Sequence, residues 1–274
     1  VSAPPGGERP AWKISAPRGG WPSPWPQLVE IVQAIPHTQW TLAGGLMVQL
    51  HAAYAGLALT RPTRDVDMIL HIETGATTFG GVRDALERLG YTLHDPVGDG
   101  PVHRFVRGPD GTETVDAMVA DHLPPKCHQK ALRRNVFAVP GGTSALRKAV
   151  NFEVDTGEAV VTLSVPDVLG ALVLKGAAYI EDSRDRGRHL DDAAVLACAA
   201  TDPVADRARM IGSDRRRITA LWKVLKDENH RSWLATGGNA RRGRAALRHW
   251  SAIEKHNRAR LPEESPRWQP ARAR

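Results

Sequence analysis

The sequence predicts an α+β fold: a mixed sheet flanked by helices over residues 26–164, then a helical region over residues 165–274. Three observations lead there. Between residues 38 and 163, short apolar or alternating runs that read as strands are interleaved with segments of helical apolar spacing. Two strand pairs flank turn chemistry, at Gly108-Pro-Asp-Gly111 and at Thr156-Gly157, as antiparallel hairpins do. From Pro166 onward the strand patterns stop and Ala-, Leu- and Arg-rich helical runs take over.

Taken in order, residues 1–25 read as an irregular arm, because Ala3-Pro-Pro-Gly-Gly7 and Pro22-Ser-Pro-Trp-Pro26 break regular backbone pairing. Trp12, Trp21 and Trp25 are suited to pinning it onto the body. Residues 27–35 form a short helix, and 38–43 a buried strand that ends at Gly44-Gly45. A helix with one apolar side covers 46–55, and the next strand covers 65–71. In 78–89 the apolar residues Phe79, Val82, Leu86 and Leu89 recur at helical spacing, and Gly90 ends the helix. One hairpin pairs 103–107 with 113–119, and a second pairs 148–155 with 159–163. Gly141-Gly142 and Gly237-Gly238 read as turns. Helices follow at 166–181, with Pro166 in the first turn, at 187–200, at 203–227 with a break at Gly212, and at 240–258. The tail from Pro262 is polar, a soft boundary falls near residue 164, and no internal repeat occurs.

The chain carries a formal charge of +7 and a pI near 9.8, a balance that suits a polyanionic partner, nucleic acid first. Arg207, Arg209, Arg215-Arg-Arg217, Arg241-Arg242, Arg244 and Arg248, with Trp222, Trp233 and Trp250 among them, make the C-terminal region the expected RNA-contacting face, the tryptophans themselves being core. The two cysteines, Cys127 and Cys198, match no disulfide framework or metal-ligand spacing. His122, Cys127 and His128 are close in sequence but surround Pro124-Pro125, and an ordinary loop is the expectation there. No apolar run approaches the roughly 20 residues that span a bilayer, and no apolar leader opens the chain. The expectation is a cytoplasmic protein with no membrane partner.

The chemistry concentrates in Gly44-Gly45 and in Thr63-Arg-Asp-Val-Asp-Met-Ile-Leu70. Strand residues two apart share a face, so Asp65 and Asp67 stand side by side. Carboxylates that close raise each other's pKa unless a cation neutralises them, and hard oxygen donors favour Mg2+. Asp116 lies mid-strand among core residues, where a charge is costly unless paired or metal-bound. If its strand adjoins the Asp65 strand, three carboxylates converge, able to bind metal and to draw a proton from an attacking hydroxyl. Gly44-Gly45 permits close backbone approach and presents amides at a helix N-terminus, an anion site. Gly-x-x-x-x-Gly-Lys-Ser/Thr is absent, which excludes a P-loop protein.

This order of Gly-Gly, helix and Thr-Arg-Asp-Val-Asp resembles the DNA polymerase β-type nucleotidyltransferase superfamily, many members of which carry Gly-Ser at the turn. Gly45 departs from that pattern, leaving backbone amides or Thr63 to replace the serine hydroxyl. A second block, Lys175 within 165–179 followed by Arg186-Gly-Arg-His-Leu-Asp-Asp192, resembles the AbiEii-type toxins of bacterial type IV toxin–antitoxin systems, and the basic helical C-terminus also looks like their larger mycobacterial members. The resemblance covers residues 38–200. It implies that Lys175 and a late aspartate belong to the active site; Asp192 matches best and Asp191 competes, while His189 stands where many relatives carry another Asp. It implies an enzyme transferring a nucleoside monophosphate from an NTP onto RNA, at the tRNA 3′ acceptor end, with Mg2+ as cofactor and a cognate antitoxin encoded nearby. In that reading Asp65, Asp67 and Asp116 bind metal or act as base, and Gly44, Gly45, Thr63, Arg64 and Lys175 hold the triphosphate. Asp192 supports the site, and Arg184, Arg186 and Arg188 reach phosphates or RNA. The rivals are nucleotidylation of a small molecule or protein, and a non-catalytic RNA- or partner-binding protein on the same fold.

Overall fold

The computed structural model describes residues 9–17, 19–58 and 62–252. It holds strand β1 (Ala11–Ile14), helix α1 (Trp25–Ala34), β2 (Trp40–Leu42), α2 (Gly44–Tyr54), β3 (Asp65–Leu70), α3 (Phe79–Arg88), β4 (Thr92–Leu93), β5 (Arg104–Arg107) and β6 (Glu113–Ala120). The short strands β7 (Lys130–Ala131), β8 (Arg134–Asn135) and β9 (Ala138–Val139) precede α4 (Gly142–Leu146), β10 (Ala149–Asp155) and β11 (Val160–Pro166). Helices α5 (Val168–Glu181), α6 (Arg186–Ala199), α7 (Pro203–Ala208), α8 (Asp214–Leu225) and α9 (Ala240–Ser251) complete it. The class is α+β, as expected.

The main sheet has the order β2-β3-β6-β5-β4, with β9 added beside β6. It is mixed because β3 and β6 run parallel while β2 and β5 flank them antiparallel. The two central strands are the most apolar: Val66, Met68, Ile69 and Leu70 of β3 and Val115 and Ala117 of β6 are fully buried, as strands covered on both faces must be. Helix α3 starts where Thr78 caps it, its hydroxyl accepting from the Gly81 amide at 3.1 Å.

The second hairpin does not join this sheet. β10 and β11 pair antiparallel, and β1 adds parallel to β10. The N-terminal arm is irregular over most of its described residues but not all: Ala11–Ile14 is a strand, because the edge of β10 offers its backbone groups and Trp12 stacks on Tyr54 with ring centroids 5.1 Å apart. Trp21 donates to the Asp155 carbonyl at 2.8 Å and Trp25 is buried inside α1, so all three tryptophans anchor this segment. Buried Thr41 of β2 ties the sheets together, hydrogen-bonded to His71 at 2.7 Å and to Ser164 of β11 at 2.8 Å.

Helix α5 is apolar all round and buried from Val168 to Ala177, Lys175 included, so it lies in the core. Asp167 caps it through the Gly170 amide. The helix expected over 203–227 with a break at Gly212 is interrupted there: α7 and α8 are separated by residues 209–213, which turn around Gly212. Gly141-Gly142 is more than a turn, since Gly142 opens α4. The helix expected to reach residue 258 is described to Ser251; its remainder and the tail from Pro262 lie outside the described residues.

Candidate active site

The parallel register of β3 and β6 sets Asp67 opposite Asp116 and Asp65 opposite Thr114. The convergence of three carboxylates on one cleft is therefore built by the sheet. Antiparallel β5 places Arg104 opposite Asp116, and the Arg104 guanidinium donates to both carboxylate oxygens at 2.9 and 2.7 Å. Asp116 is thus held by an arginine. Among the described residues no three His, Cys, Asp or Glu side chains are disposed as ligands of one ion, so the expected three-carboxylate metal centre is not formed as it stands.

Helix α2 enters the cleft with its N-terminus uncapped by any side chain among the described residues. The Ala43 amide donates to the Asp67 carbonyl at 2.8 Å, which seats the helix end against β3. Gly44 has φ +64°, and a Cβ there would lie 1.7 Å from Asp67 Oδ2. Glycine at 44 is thus required by the carboxylate as much as by the turn. A Cβ at Gly45 would meet Thr63 Oγ1 at 2.5 Å, so the Thr63 hydroxyl occupies the space beside the helix amides that a side chain at 45 would take.

The opposite wall comes from the helical region. Lys175 on α5 and Asp192 on α6 form a buried ion pair at 2.7 Å. Asp191 instead accepts from Ser232 Oγ at 2.6 Å, which places Asp192 as the carboxylate of the cleft. Asp182, at the end of α5, accepts from the Arg184 amide at 2.8 Å and pairs with His189 at 3.2 Å and Arg188 at 3.3 Å. Thr63, Arg64, Arg184 and Arg188 also line the cleft, whose volume is about 810 Å³. Arg186 turns away, its guanidinium 5.8 Å from the Tyr179 ring centroid.

The electrostatics are unbalanced toward the sheet side. Burial, then the neighbouring Asp116, pushes the Asp67 carboxyl up to about 7 against the opposing pull of Lys175. Asp65 is raised by burial and by Asp116, with Arg104 and Arg188 opposing. A pair of adjacent carboxylates that is short of positive charge is a donor set suited to a hard divalent cation, and Mg2+ commonly takes one or two carboxylates and completes its shell with phosphate oxygens and water. Across the cleft, burial and then Lys175 lower the His189 pKa against the pull of Asp182, while hydrogen bonds from the Arg184 amide and His189 hold the Asp182 carboxyl well below the usual carboxylate range.

Arg104, Asp182, His189, His103 and Phe137 belong to the cleft but were not expected as site residues. Arg104 was within reach: a hairpin turning about Asp110 pairs Arg107 with Glu113 and therefore Arg104 with Asp116. His103 and Phe137, with rings 5.2 Å apart, come together through loops and short strands that carry no periodicity.

Five of the nine C-terminal arginines named above bind groups of the body, while Arg215, Arg216, Arg241 and Arg248 are exposed. Arg207 donates to the carbonyls of His249 and Ala252, Arg209 pairs with Asp167 and Asp206, and Arg217 with Asp121. Arg242 donates to the Ala200 carbonyl at the end of α6, and Arg244 pairs with Glu228. Trp233 and Trp250 are buried, as expected. No protein-family model, curated protein or solved structure matches the chain.

Proposed function

We propose that the protein is a Mg2+-dependent nucleotidyltransferase that moves a nucleoside monophosphate from an NTP onto RNA, at the 3′ acceptor end of tRNA, releasing pyrophosphate and acting as a growth-inhibiting toxin with a cognate antitoxin. One observation carries this reading: an uncapped helix N-terminus, carboxylates on two adjacent strands and a buried lysine all open on the same cleft. Gly44, Gly45, the Thr63 hydroxyl and Arg64 would meet the triphosphate from the sheet side, and Lys175 and Arg188 from the helical side. Asp65 and Asp67 would hold the metal, which when bound neutralises charge developing on the transferring phosphoryl group. Asp116, released when Arg104 turns to a phosphate, would complete the carboxylate set and take the proton from the attacking hydroxyl. Asp192 keeps the Lys175 ammonium in place.

The test is transfer from each labelled NTP in turn onto total tRNA, onto lysate protein and onto neither. Asp65→Ala and Lys175→Ala should each abolish labelling and relieve growth inhibition. Label in the protein pool alone would replace the RNA acceptor, and RNA binding with no Mg2+-dependent turnover by the wild-type protein would replace the enzyme.

A further inference from the structure

Between Asp121 and Glu153 the chain has no acidic residue and six Lys or Arg, nearly its whole formal excess of +7. Two of the six are spent internally. Lys148 is buried against Asp214 at 2.9 Å, and Arg134 donates to the carbonyls of Pro96, Gly98 and Gly100 and pairs with Asp95. Lys126, Lys130 and Arg133 are exposed. They sit on and before the tight β7–β8 hairpin, whose turn takes positive φ at Leu132 and Arg133.

The loop that Arg134 grips forms one wall of a second pocket, of about 300 Å³, lined by Pro96, Val97, Pro101, His94, His103, Arg104 and Arg184. The last three also line the main cleft, so the two spaces share a wall at Arg104, the residue seated on Asp116. Val97 is 99% exposed at the lip of the side pocket. Proline rings, an imidazole and a guanidinium plane offer stacking surfaces for a base, and nearby free cations suit the phosphates that follow it. Main cleft and side pocket therefore adjoin at Arg104, and the hairpin is joined to the loop walling the side pocket through Arg134.

We propose that the side pocket and the β7–β8 hairpin form the track of the acceptor: a single-stranded RNA end whose terminal hydroxyl lies in the main cleft, whose next base enters the side pocket, and whose backbone runs over Lys126, Lys130 and Arg133. This rests on the nucleotidyltransferase reading for the direction of the strand, but not for the RNA contact itself. It also places the RNA contact elsewhere than on the C-terminal arginines, five of which bind carbonyls or carboxylates of the body.

The experiment measures fluorescence anisotropy of a labelled single-stranded RNA of about 12 nucleotides with the full chain, without NTP, over a salt series. The triple variant Lys126→Ala/Lys130→Ala/Arg133→Ala changes only exposed side chains. It should bind at least about tenfold more weakly at low salt, and the slope of log K against log salt should fall by about two, as three lost phosphate contacts on a single strand require. Val97→Glu, a charge at the pocket lip, should also weaken binding, while the paired control Arg215→Ala/Arg216→Ala on α8 should not. Equal RNA binding by the triple variant and the wild type, or loss in the α8 control alone, overturns the track. Absence of RNA binding by the wild type overturns it too. If wild-type RNA binding is lost in the triple variant although no NTP is ever turned over, the track stands and the enzyme reading falls.

Discussion

Asp67 carries the clearest conflict at the level of a single residue. Its carboxyl is pushed up to about 7 from an ordinary value of 3.8, by burial first and by Asp116 second. The folded chain therefore holds the proton more tightly than the unfolded chain does. That contribution to stability is fully present below about pH 4 and is lost as pH rises through 7. Asp67→Asn removes the charge without changing shape, so it should stabilise the metal-free protein at pH 8, on the order of 1–2 kcal/mol after discounting for water in the open cleft. The difference should vanish near pH 4. Thermal melts of both proteins across that range check it, and added Mg2+ at pH 8 should raise the melting temperature of the wild type but not of Asp67→Asn. Parallel melting profiles would show that Asp67 carries no uncompensated charge. Gly44→Ala makes the complementary point: its Cβ falls on the Asp67 carboxylate at a backbone angle that disfavours side chains, so it should cost about 2–4 kcal/mol in denaturant titration. A Gly44→Ala protein of wild-type stability would mean the carboxylate is free to move aside.

At the scale of elements, the Lys175–Asp192 pair joins α5 to α6 and faces the cleft at once. Both roles predict that Lys175→Met weakens the protein, by about 3–5 kcal/mol, because Asp192 stays buried without that ammonium. The double variant Lys175→Met/Asp192→Leu separates them. It should recover most of the stability, since a buried ion pair is replaced by apolar side chains, and recover none of the nucleotide transfer. Recovered transfer would reduce the pair to a helix clamp. These elements also show what the sequence could disclose. Period-two and period-3.6 patterns located the β3, β5, β6, α3, α5 and α6 segments, because half-buried strands and helices must alternate or recur in those ways. The facing of Asp67 and Asp116 was foreseen only conditionally, since which strands become neighbours depends on crossovers rather than on local pattern. The N-terminal strand went unseen because Ala11-Trp-Lys-Ile14 is too short to declare itself; it becomes a strand only when β10 supplies a partner edge. The basic C-terminal block was only partly legible for a related reason: charge counts do not distinguish an arginine facing solvent, such as Arg215 or Arg241, from one seated on Ala200 or His249 carbonyls.

Across the whole molecule, the cleft is shared by two regions that the sequence separates near residue 164, and the contacts between them bear on whether they fold as one. Lys148 and Asp214 form an ion pair across that boundary, with their side chains 4% and 1% exposed, and Ser144 hydrogen-bonds to both. Arg217 reaches Asp121, and α2 packs against α6. Cutting at residue 164 would leave Lys148 buried without its counter-ion and strip the apolar α5 of its cover. Charged groups left in that state cost several kcal/mol each, comparable with the 5–15 kcal/mol that stabilises a typical domain. A fragment ending at residue 164 should therefore fail to fold, and the intact chain should unfold in one step. Tryptophan fluorescence and far-ultraviolet circular dichroism should give coincident denaturant transitions, since buried Trp25 and Trp40 report from the sheet region and Trp233 and Trp250 from the helical one. Two separated transitions, or a soluble and cooperatively folded fragment, would mean that the walls are independent bodies able to open and close on each other. A single transition instead means that the carboxylates of β3 and β6 and the lysine of α5 are held at a fixed separation before any ligand arrives, so that ligand binding has to rearrange only side chains such as Arg104.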